Sequence, residues 1–117
     1  MIKTLPEKLV MDLLPRAQTN VQVAAVIEDK KGIFAWGWSS IGPNGRGLCA
    51  ERMAISRANR RRLKGSTLYV GGRWRRSGNL VMAFPCALCL AAARKVGVKR
   101  FIYTTKDGSW RTYELNG

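Results

Sequence analysis

Two short segments, each with a cysteine at the start of a predicted helix, constrain the fold of this chain most. Cys-Ala-Glu at 49–51 opens one helix, Pro-Cys-Ala-Leu-Cys at 85–89 opens another, and a strand is predicted between them. Cys86 and Cys89 are three positions apart, so one helical face carries both thiols. Helix N-termini that meet at one point favour negative charge and stabilise thiolates. We therefore expect a fold that brings both helix starts together.

The cysteine count limits the kinds of site that the two helix starts can form. The chain has three cysteines and no histidine. An odd number of cysteines argues against a disulfide framework and favours metal binding or catalysis. A closed structural zinc site takes four Cys or His ligands, whereas a catalytic zinc keeps one position open. If zinc binds within one chain, three thiols leave its fourth position open or filled by a weaker ligand; the simpler alternative is three buried thiols that pack as small apolar groups.

The charge of the chain is strongly positive. Lysine and arginine number 21 against 7 aspartate and glutamate residues, which gives a formal net charge of +14. Such an excess favours a polyanionic partner, most simply nucleic acid. The alternative is a protein that is basic without having such a partner.

Length and apolar patterning limit the architecture and the compartment. The 117 residues suffice for one domain, 1–117, and its core, but not for two. No apolar run is long enough to cross a membrane, so we expect no membrane partner. The opening MIKTLPEKLV lacks the apolar core and cleavage site of a secretory signal. We expect a cytoplasmic protein.

Periodicity and turn residues predict the element order α-β-β-α-β-α-β-β, with helices on both faces of a central sheet. A Thr4–Glu7 capping box begins the first helix, and Gly97 ends the last. The predicted elements are helices near 5–14, 49–62 and 86–96, strands 20–28, 32–38, 66–72, 99–105 and 109–115, and a basic hairpin that turns at 77–79.

The paired segments resemble the zinc-dependent nucleobase deaminases, whose signature is His or Cys-x-Glu followed by Pro-Cys-x-x-Cys. The element order also fits the cytidine deaminase fold, so the resemblance covers nearly the whole chain. It implies an α/β protein, a three-layer α/β/α sandwich with a five-stranded mixed sheet and an antiparallel last strand. The implied activity is that of a hydrolase acting on an amidine C–N bond.

The resemblance also assigns roles to the residues of the two segments. It implies that Cys49, Cys86 and Cys89 hold Zn²⁺, while Glu51 shuttles the proton as water displaces ammonia from the ring carbon. Without the cysteines, Glu51 would be interpreted as a carboxylate favoured by the helix dipole. Three thiolates give the zinc site a net charge of −1. Arg52 resembles the arginine that bonds the ligand thiolates in small oligomeric cytidine deaminases.

The substrate is less well indicated. The segment Cys-Ala-Glu-Arg and the antiparallel last strand resemble the branch that acts on free nucleosides, whose members often form homo-oligomers with shared sites. Free cytidine deaminases carry an Asn-x-Glu ribose clamp before the motif helix, but WGWSSIGPNGRGL at 36–48 has no glutamate. The candidate substrate-binding residues are Ser39, Asn44, Ala50, Phe84 and Trp38.

Arginines interleaved with an aromatic residue suit a single strand, because charge follows the phosphates while rings stack on bases. The candidate nucleic-acid contacts are Arg60, Arg61, Arg62, Arg73, Trp74, Arg75 and Arg76. We therefore predict a deaminase that converts cytosine to uracil in single-stranded nucleic acid. The alternatives are a free cytidine, deoxycytidine or nucleotide deaminase, an adenosine deaminase, and a non-catalytic zinc-stabilised module that binds nucleic acid.

Overall fold

Helices and strands alternate largely as the sequence predicts. The computed structural model describes residues 4–115, and none of the helices in that range is long and apolar enough to cross a membrane. The helices are α1 (Leu5–Leu13), α2 (Ala50–Arg57), α3 (Arg60–Leu63) and α4 (Ala87–Val96). The strands are β1 (Val21–Asp29), β2 (Gly32–Trp38), β3 (Ser40–Ile41), β4 (Gly47–Leu48), β5 (Thr67–Trp74), β6 (Leu80–Val81), β7 (Arg100–Thr104) and β8 (Trp110–Glu114).

Five strands form a mixed sheet in the order β2-β1-β5-β7-β8, and the short β6 pairs with β5. Strands β5 and β7 are parallel neighbours, and the crossover between them contains α4. The other neighbours along the sheet, including β7 and β8, are antiparallel. The predicted mixed sheet with an antiparallel last strand is therefore confirmed.

The sheet is covered by helices on both faces. Helix α1 packs Val10 and Leu13 against Val26 on one face, whereas α2 and α4 pack Ala54 and Ala93 on the other. This confirms the α/β/α layering. Apolar faces of helices and sheets must each be buried against another element, and this arrangement buries both faces of the central strands.

Helix α2 approaches the sheet closely at Gly37 of β2. A Cβ atom at Gly37 would lie 2.7 Å from the backbone nitrogen of Ala54 and 2.8 Å from the carbonyl oxygen of Ala50. Only glycine leaves room for a helix backbone at that distance. The close packing fixes the start of α2, and with it Cys49 and Glu51, relative to the sheet.

The predicted helix over 49–62 is wrong in one respect, because it is broken into α2 and α3. Ala58 is extended, and the side chain of Asn59 accepts a hydrogen bond from the backbone N–H of Arg61 at 2.9 Å. Asparagine at an N-cap satisfies one of the free N–H groups of a new helix and so favours a fresh start there. The break redirects α3 relative to α2.

Two connections also differ from their predictions. The predicted loop after β2 contains a small hairpin formed by β3 and β4. The predicted basic hairpin is short, because only Leu80 and Val81 pair with β5 after the turn. The predicted helix boundaries at the Thr4–Glu7 capping box and at Gly97, whose φ is 90°, are confirmed.

Candidate active site

The three thiols meet at the starts of α2 and α4. Cys49 is the N-cap of α2, Cys86 is the N-cap of α4, and Cys89 lies in the first turn of α4. Their sulfur atoms all lie within 4.8 Å of one another. Tetrahedral zinc with Zn–S bonds of about 2.3 Å holds its sulfur atoms roughly 3.8 Å apart. The cluster is therefore compatible with a zinc ion.

The electrostatic environment of the thiols also suits a cation. Hydrogen bonding to the backbone of Cys89, in the first turn of α4, holds the pKa of the Cys86 thiol below its ordinary value. Burial raises the pKa of Cys49 and Cys89, and the neighbouring Glu51 carboxylate raises both further. A divalent cation between the sulfur atoms would stabilise all three thiolates, so metal binding there would release protons.

Glu51 lies in the first turn of α2 beside this cluster. Its side chain is almost completely buried, with 7% of the residue exposed. Burial raises the pKa of the Glu51 carboxyl above its ordinary value. A carboxylate whose conjugate acid has a raised pKa is a stronger proton acceptor than an ordinary exposed one, which suits acid–base catalysis.

A cleft of about 400 Å³ opens over the cysteines and Glu51. Its other lining residues are mostly apolar: Val21, Val23, Gly47, Leu48, Ala50, Val81, Met82, Ala83 and Phe84. The remaining two, Thr19 and Ser39, are polar, and their hydroxyl oxygens are 2.7 Å apart. The cleft thus combines a thiol cluster and one carboxyl group with largely apolar walls, which suits the faces of a flat ring.

Comparison with known proteins places the chain in a family. The family described as "Cytidine and deoxycytidylate deaminase zinc-binding region" matches residues 7–105. The chain belongs to this family. The family is a zinc-binding one, and the three-cysteine cluster is compatible with the ion, so zinc is the expected cofactor. Membership supports a hydrolytic deaminase.

Solved structures of low sequence identity share the fold. Cytidine deaminase from Burkholderia pseudomallei superposes with a TM-score of 0.73 at 19% identity, covering 98% of this chain and 94% of that one. The dCMP deaminase from cyanophage S-TIM5 gives a TM-score of 0.59 at 18% identity, with 86% and 79% covered. Acinetobacter baumannii RibD, form 2, gives 0.58 at 20% identity over 84% of this chain and 26% of that one. No curated protein gives a significant match.

The candidate substrate residues of this deaminase divide into two groups. Ser39, Ala50 and Phe84 line the cleft. Trp38 and Asn44 are absent from the cleft lining within residues 4–115. The Trp38 ring has the guanidinium groups of Arg16 and Arg57 at 5.5 Å and 5.0 Å from its centroid. The Asn44 side chain accepts the backbone N–H of Arg46 at 3.2 Å.

The hydroxyl groups of Thr19 and Ser39 are already bonded inside the protein. Thr19 Oγ1 donates to the carbonyl oxygen of Val21 at 2.6 Å. Its hydrogen is then used, so Ser39 Oγ donates to Thr19, and Ser39 Oγ also accepts the backbone N–H of Val23 at 3.0 Å. Both hydroxyl hydrogens are thereby used, and only acceptor capacity is left for a ligand.

Phe84 forms an exposed aromatic wall of the cleft. The residue is 39% exposed. Its ring packs edge-to-face against Tyr103 and Tyr113, with centroid separations of 5.2 Å and 5.1 Å. Edge-to-face packing on two sides holds the ring in a defined orientation. Phe84 therefore offers a fixed aromatic surface beside the thiols.

Arg52 lies on the exposed side of α2. Burial, the largest influence on the pKa of Cys49, raises it, and the positive charge of Arg52 lowers it by a smaller amount. Within residues 4–115, the hydrogen bonds found do not include one from its guanidinium group to a thiol. The side chain instead lines a cavity next to the cleft and a further groove that adjoins that cavity. Its predicted bond to the thiolates is not present in this conformation.

The candidate nucleic-acid contacts also divide into two groups. Arg62 binds Asp29 through two nitrogens, each at 2.7 Å. Arg73 donates to Gln22 at 2.8 Å, and Arg75 donates to the carbonyl oxygen of Ala17 at 3.2 Å. The exposed members of the set without a side-chain hydrogen bond among the described residues are Arg60, Arg61, Trp74 and Arg76.

Sequence reasoning missed part of the cleft. Thr19, Val21 and Val23 precede or begin β1, and Val81 and Met82 follow the turn after β5. Their patterns indicate an ordinary strand and hairpin. Only the pairing of β1 with β5, and of β5 with β6, brings these segments to the helix starts. The position of Met82 three residues before Pro85, in the segment that leads to α4, was an available sequence signal.

Proposed function

We propose that this deaminase converts cytosine to uracil within single-stranded nucleic acid. One water molecule is consumed and one ammonia is released for each base. The observation that carries the proposal is the contrast between the cleft and its surroundings. The cleft offers apolar walls, one carboxyl group and hydroxyls with no free hydrogen, whereas the exposed surface carries a large excess of positive charge.

The cysteines and Glu51 divide the chemistry between them. Cys49, Cys86 and Cys89 hold Zn²⁺, which when bound makes a coordinated water acidic enough to act as a nucleophile near neutral pH. Glu51 takes up a proton and delivers it to the amino group that leaves. Burial raises the pKa of the Glu51 carboxyl, which makes its carboxylate a better proton acceptor, as the first step of a proton shuttle requires.

The walls of the cleft bind the base more readily than the sugar. Phe84 presents an aromatic surface, and Val23 and Leu48 are apolar neighbours that also line the cleft. The bonded Thr19–Ser39 pair offers only acceptor capacity to a ribose. Most of the binding free energy must therefore come from outside the cleft, and phosphate contacts by lysine and arginine supply such free energy in nucleic-acid complexes.

A free nucleoside or nucleotide is the second candidate substrate. The similar structures include proteins named as a cytidine deaminase and a dCMP deaminase. Thr19 and Ser39 line the cleft with unused lone pairs, which a sugar hydroxyl could donate to. In this case the positive surface either binds the phosphate of a nucleotide or plays no part in catalysis.

A substrate panel tests the proposal. Zinc-loaded protein is incubated at modest salt with a cytosine-containing DNA single strand, the matching RNA, cytidine, deoxycytidine and dCMP, and uracil formation is followed. We expect conversion of an oligonucleotide at a far higher kcat/KM than any monomer. Conversion of monomers alone would establish the second candidate. Binding of the oligonucleotide without ammonia release would instead indicate a non-catalytic module.

A further inference from the structure

We propose that the single strand follows a continuous groove made of four adjoining cavities, with the active-site cleft inside the row. This inference rests on the proposed function and extends it, because it identifies the surfaces that contact nucleotides on either side of the target base. It adds Arg52, Lys95 and Lys106 to the expected contacts, and it leaves out Arg62 and Arg73, whose side chains are held by Asp29 and Gln22.

Neighbouring cavities in the row share lining residues. The cleft shares Gly47, Leu48 and Cys49 with a cavity of about 430 Å³. That cavity shares Arg52 and Ser56 with a further groove of about 590 Å³. On its other side, the cleft shares Val81 with a cavity of about 540 Å³. The shared lining residues place the four cavities next to one another, with Val81 alone at the junction between the cleft and the last cavity.

The first flank lies along α2, α3 and α4 and suits a phosphate backbone. Arg52, Arg60 and Lys95 line it, and all three are exposed. The same groove is lined by the small apolar residues Ala58 and Ala92. Among residues 4–115, its lining includes no aspartate or glutamate. A groove that has cations and no anions attracts a polyanion and concentrates it near the cleft.

The second flank, beyond β6, suits a base. Trp74 is 52% exposed and lines this cavity with Asn79 and Lys106. An exposed indole offers a stacking surface for any base, and a nearby lysine suits the adjoining phosphate. Asp107 also lines the cavity, and its carboxylate accepts hydrogen bonds from the Thr105 and Ser109 hydroxyls; its negative charge offsets part of the attraction of Lys106 for a phosphate.

The experiment measures binding separately from chemistry. The zinc-loaded Glu51→Gln protein is titrated with fluorescent thymidine oligonucleotides of increasing length that contain no cytosine. The first-flank variant carries Arg60→Glu and Lys95→Glu, and the second-flank variant carries Trp74→Ala and Lys106→Glu. The matched control for the first is Lys8→Glu with Lys30→Glu, which makes the same charge change at exposed positions on α1 and in the turn after β1.

We expect each flank variant to weaken binding of a long oligonucleotide at least tenfold, and the control by less than threefold. The difference should vanish for an oligonucleotide of three residues, which is too short to reach both flanks. Two lost phosphate contacts should also reduce the slope of log K against log salt by about 1.4 for the first-flank variant. Flank variants that bind no more weakly than the control would overturn the proposal.

Two further measurements separate this inference from its rivals. If the flank variants weaken oligonucleotide binding but the substrate panel shows no uracil, the proposed reaction fails while the proposed binding path stands. Sedimentation velocity of the wild-type and first-flank proteins tests whether the groove contacts a second copy instead. A first-flank variant that loses self-association but keeps its oligonucleotide affinity would overturn the proposed path.

The neutral variant with Arg60→Gln and Lys95→Gln should also weaken oligonucleotide binding, by less than the charge-reversed first-flank variant.

Discussion

The thiol cluster and the walls of the cleft above it are built in opposite ways. Cys49, Cys86 and Cys89 occupy the first residues of two helices, so local sequence places each of them. The walls come from segments near residues 19–23, 39, 47–48 and 81–84, which only sheet pairing brings together. The difference teaches that the place of each catalytic residue within its helix is encoded locally, whereas the meeting of the two helix starts and the shape of the cleft walls depend on assembly of the sheet.

Removing one thiol from the cluster should have the largest effect of all, on zinc content, activity and stability. Cys86→Ser replaces a thiol whose pKa is lowered by the start of α4. We expect zinc content to fall from near one to below about 0.1 per chain, activity to disappear and the melting temperature to drop, because metal binding and folding are coupled. Metal analysis and thermal denaturation measure these. Full zinc content in this variant would contradict the assignment of Cys86 as a ligand.

Glu51→Ala should separate the reaction from the metal. We expect turnover to fall by at least about a hundredfold, since positioned proton transfer typically contributes 10²–10⁴. Zinc content should remain near one per chain, because the ligand set is intact. Asp12→Asn, an exposed carboxylate on α1, is the control and should leave turnover unchanged. Wild-type turnover in Glu51→Ala would remove the proton shuttle from the account.

Phe84→Ala should weaken substrate binding at the cleft wall and leave the three-thiol cluster intact. The loss of base stacking, worth about 1–3 kcal/mol, should raise the KM for an oligonucleotide roughly 5- to 150-fold. Zinc content should not change. Trp36→Ala removes an aromatic ring that is exposed but does not line the cleft, and it should have little effect on KM. Equal KM values for the two variants would remove Phe84 from base binding.

Gly37→Ala should weaken the packing of α2, which carries Cys49 and Glu51, against β2 of the sheet. A Cβ there would meet the backbone of α2 at 2.7 Å, so the helix must shift away from β2. We expect a loss of stability of about 1–3 kcal/mol in denaturant unfolding, as for other overpacked sites. Gly47→Ala is the matched control, since a Cβ at Gly47 meets nothing within 4 Å. Comparable stability of both variants would mean that α2 is not held at Gly37.

Arg62 should contribute to stability and not to substrate binding, unlike Arg60. Its guanidinium group holds the pKa of the Asp29 carboxyl at about 2, below an unfolded value near 4. A lowered folded pKa gives stability that is present above pH 4 and is lost as the pH falls toward 2. The gap in melting temperature between wild type and Arg62→Gln should therefore shrink over that range. A gap independent of pH would show that the ion pair is not its source.

Sequence patterns predicted the element order, the layering and the thiol cluster well, because capping residues and periodicity act over a few positions. The Thr4–Glu7 capping box begins α1, and Gly97 ends α4, each through contacts with the nearby backbone. The break before α3 was equally local, and the Asn59 cap was its overlooked signal.

Features that depend on distant partners could not be predicted in the same way. Arg62 and Asp29 are 33 positions apart, and their pairing became evident only from the folded chain. The Thr19–Ser39 pair joins residues 20 positions apart and decides what the cleft can offer a sugar. Trp38 has an alternating strand pattern, but its ring lies near the guanidinium groups of Arg16 and Arg57, and within residues 4–115 it is not among those that line the cleft. Such contacts arise from tertiary structure, which single-segment patterns do not encode.

A competition assay tests the central claim most directly. Zinc-loaded protein is given a single-stranded oligonucleotide with one cytosine and an equimolar amount of dCMP in the same tube, and both uracil products are followed. The ratio of initial rates gives the ratio of kcat/KM values without any correction for active protein. The account predicts at least a hundredfold preference for the oligonucleotide that falls as salt is raised. Faster conversion of dCMP would contradict it.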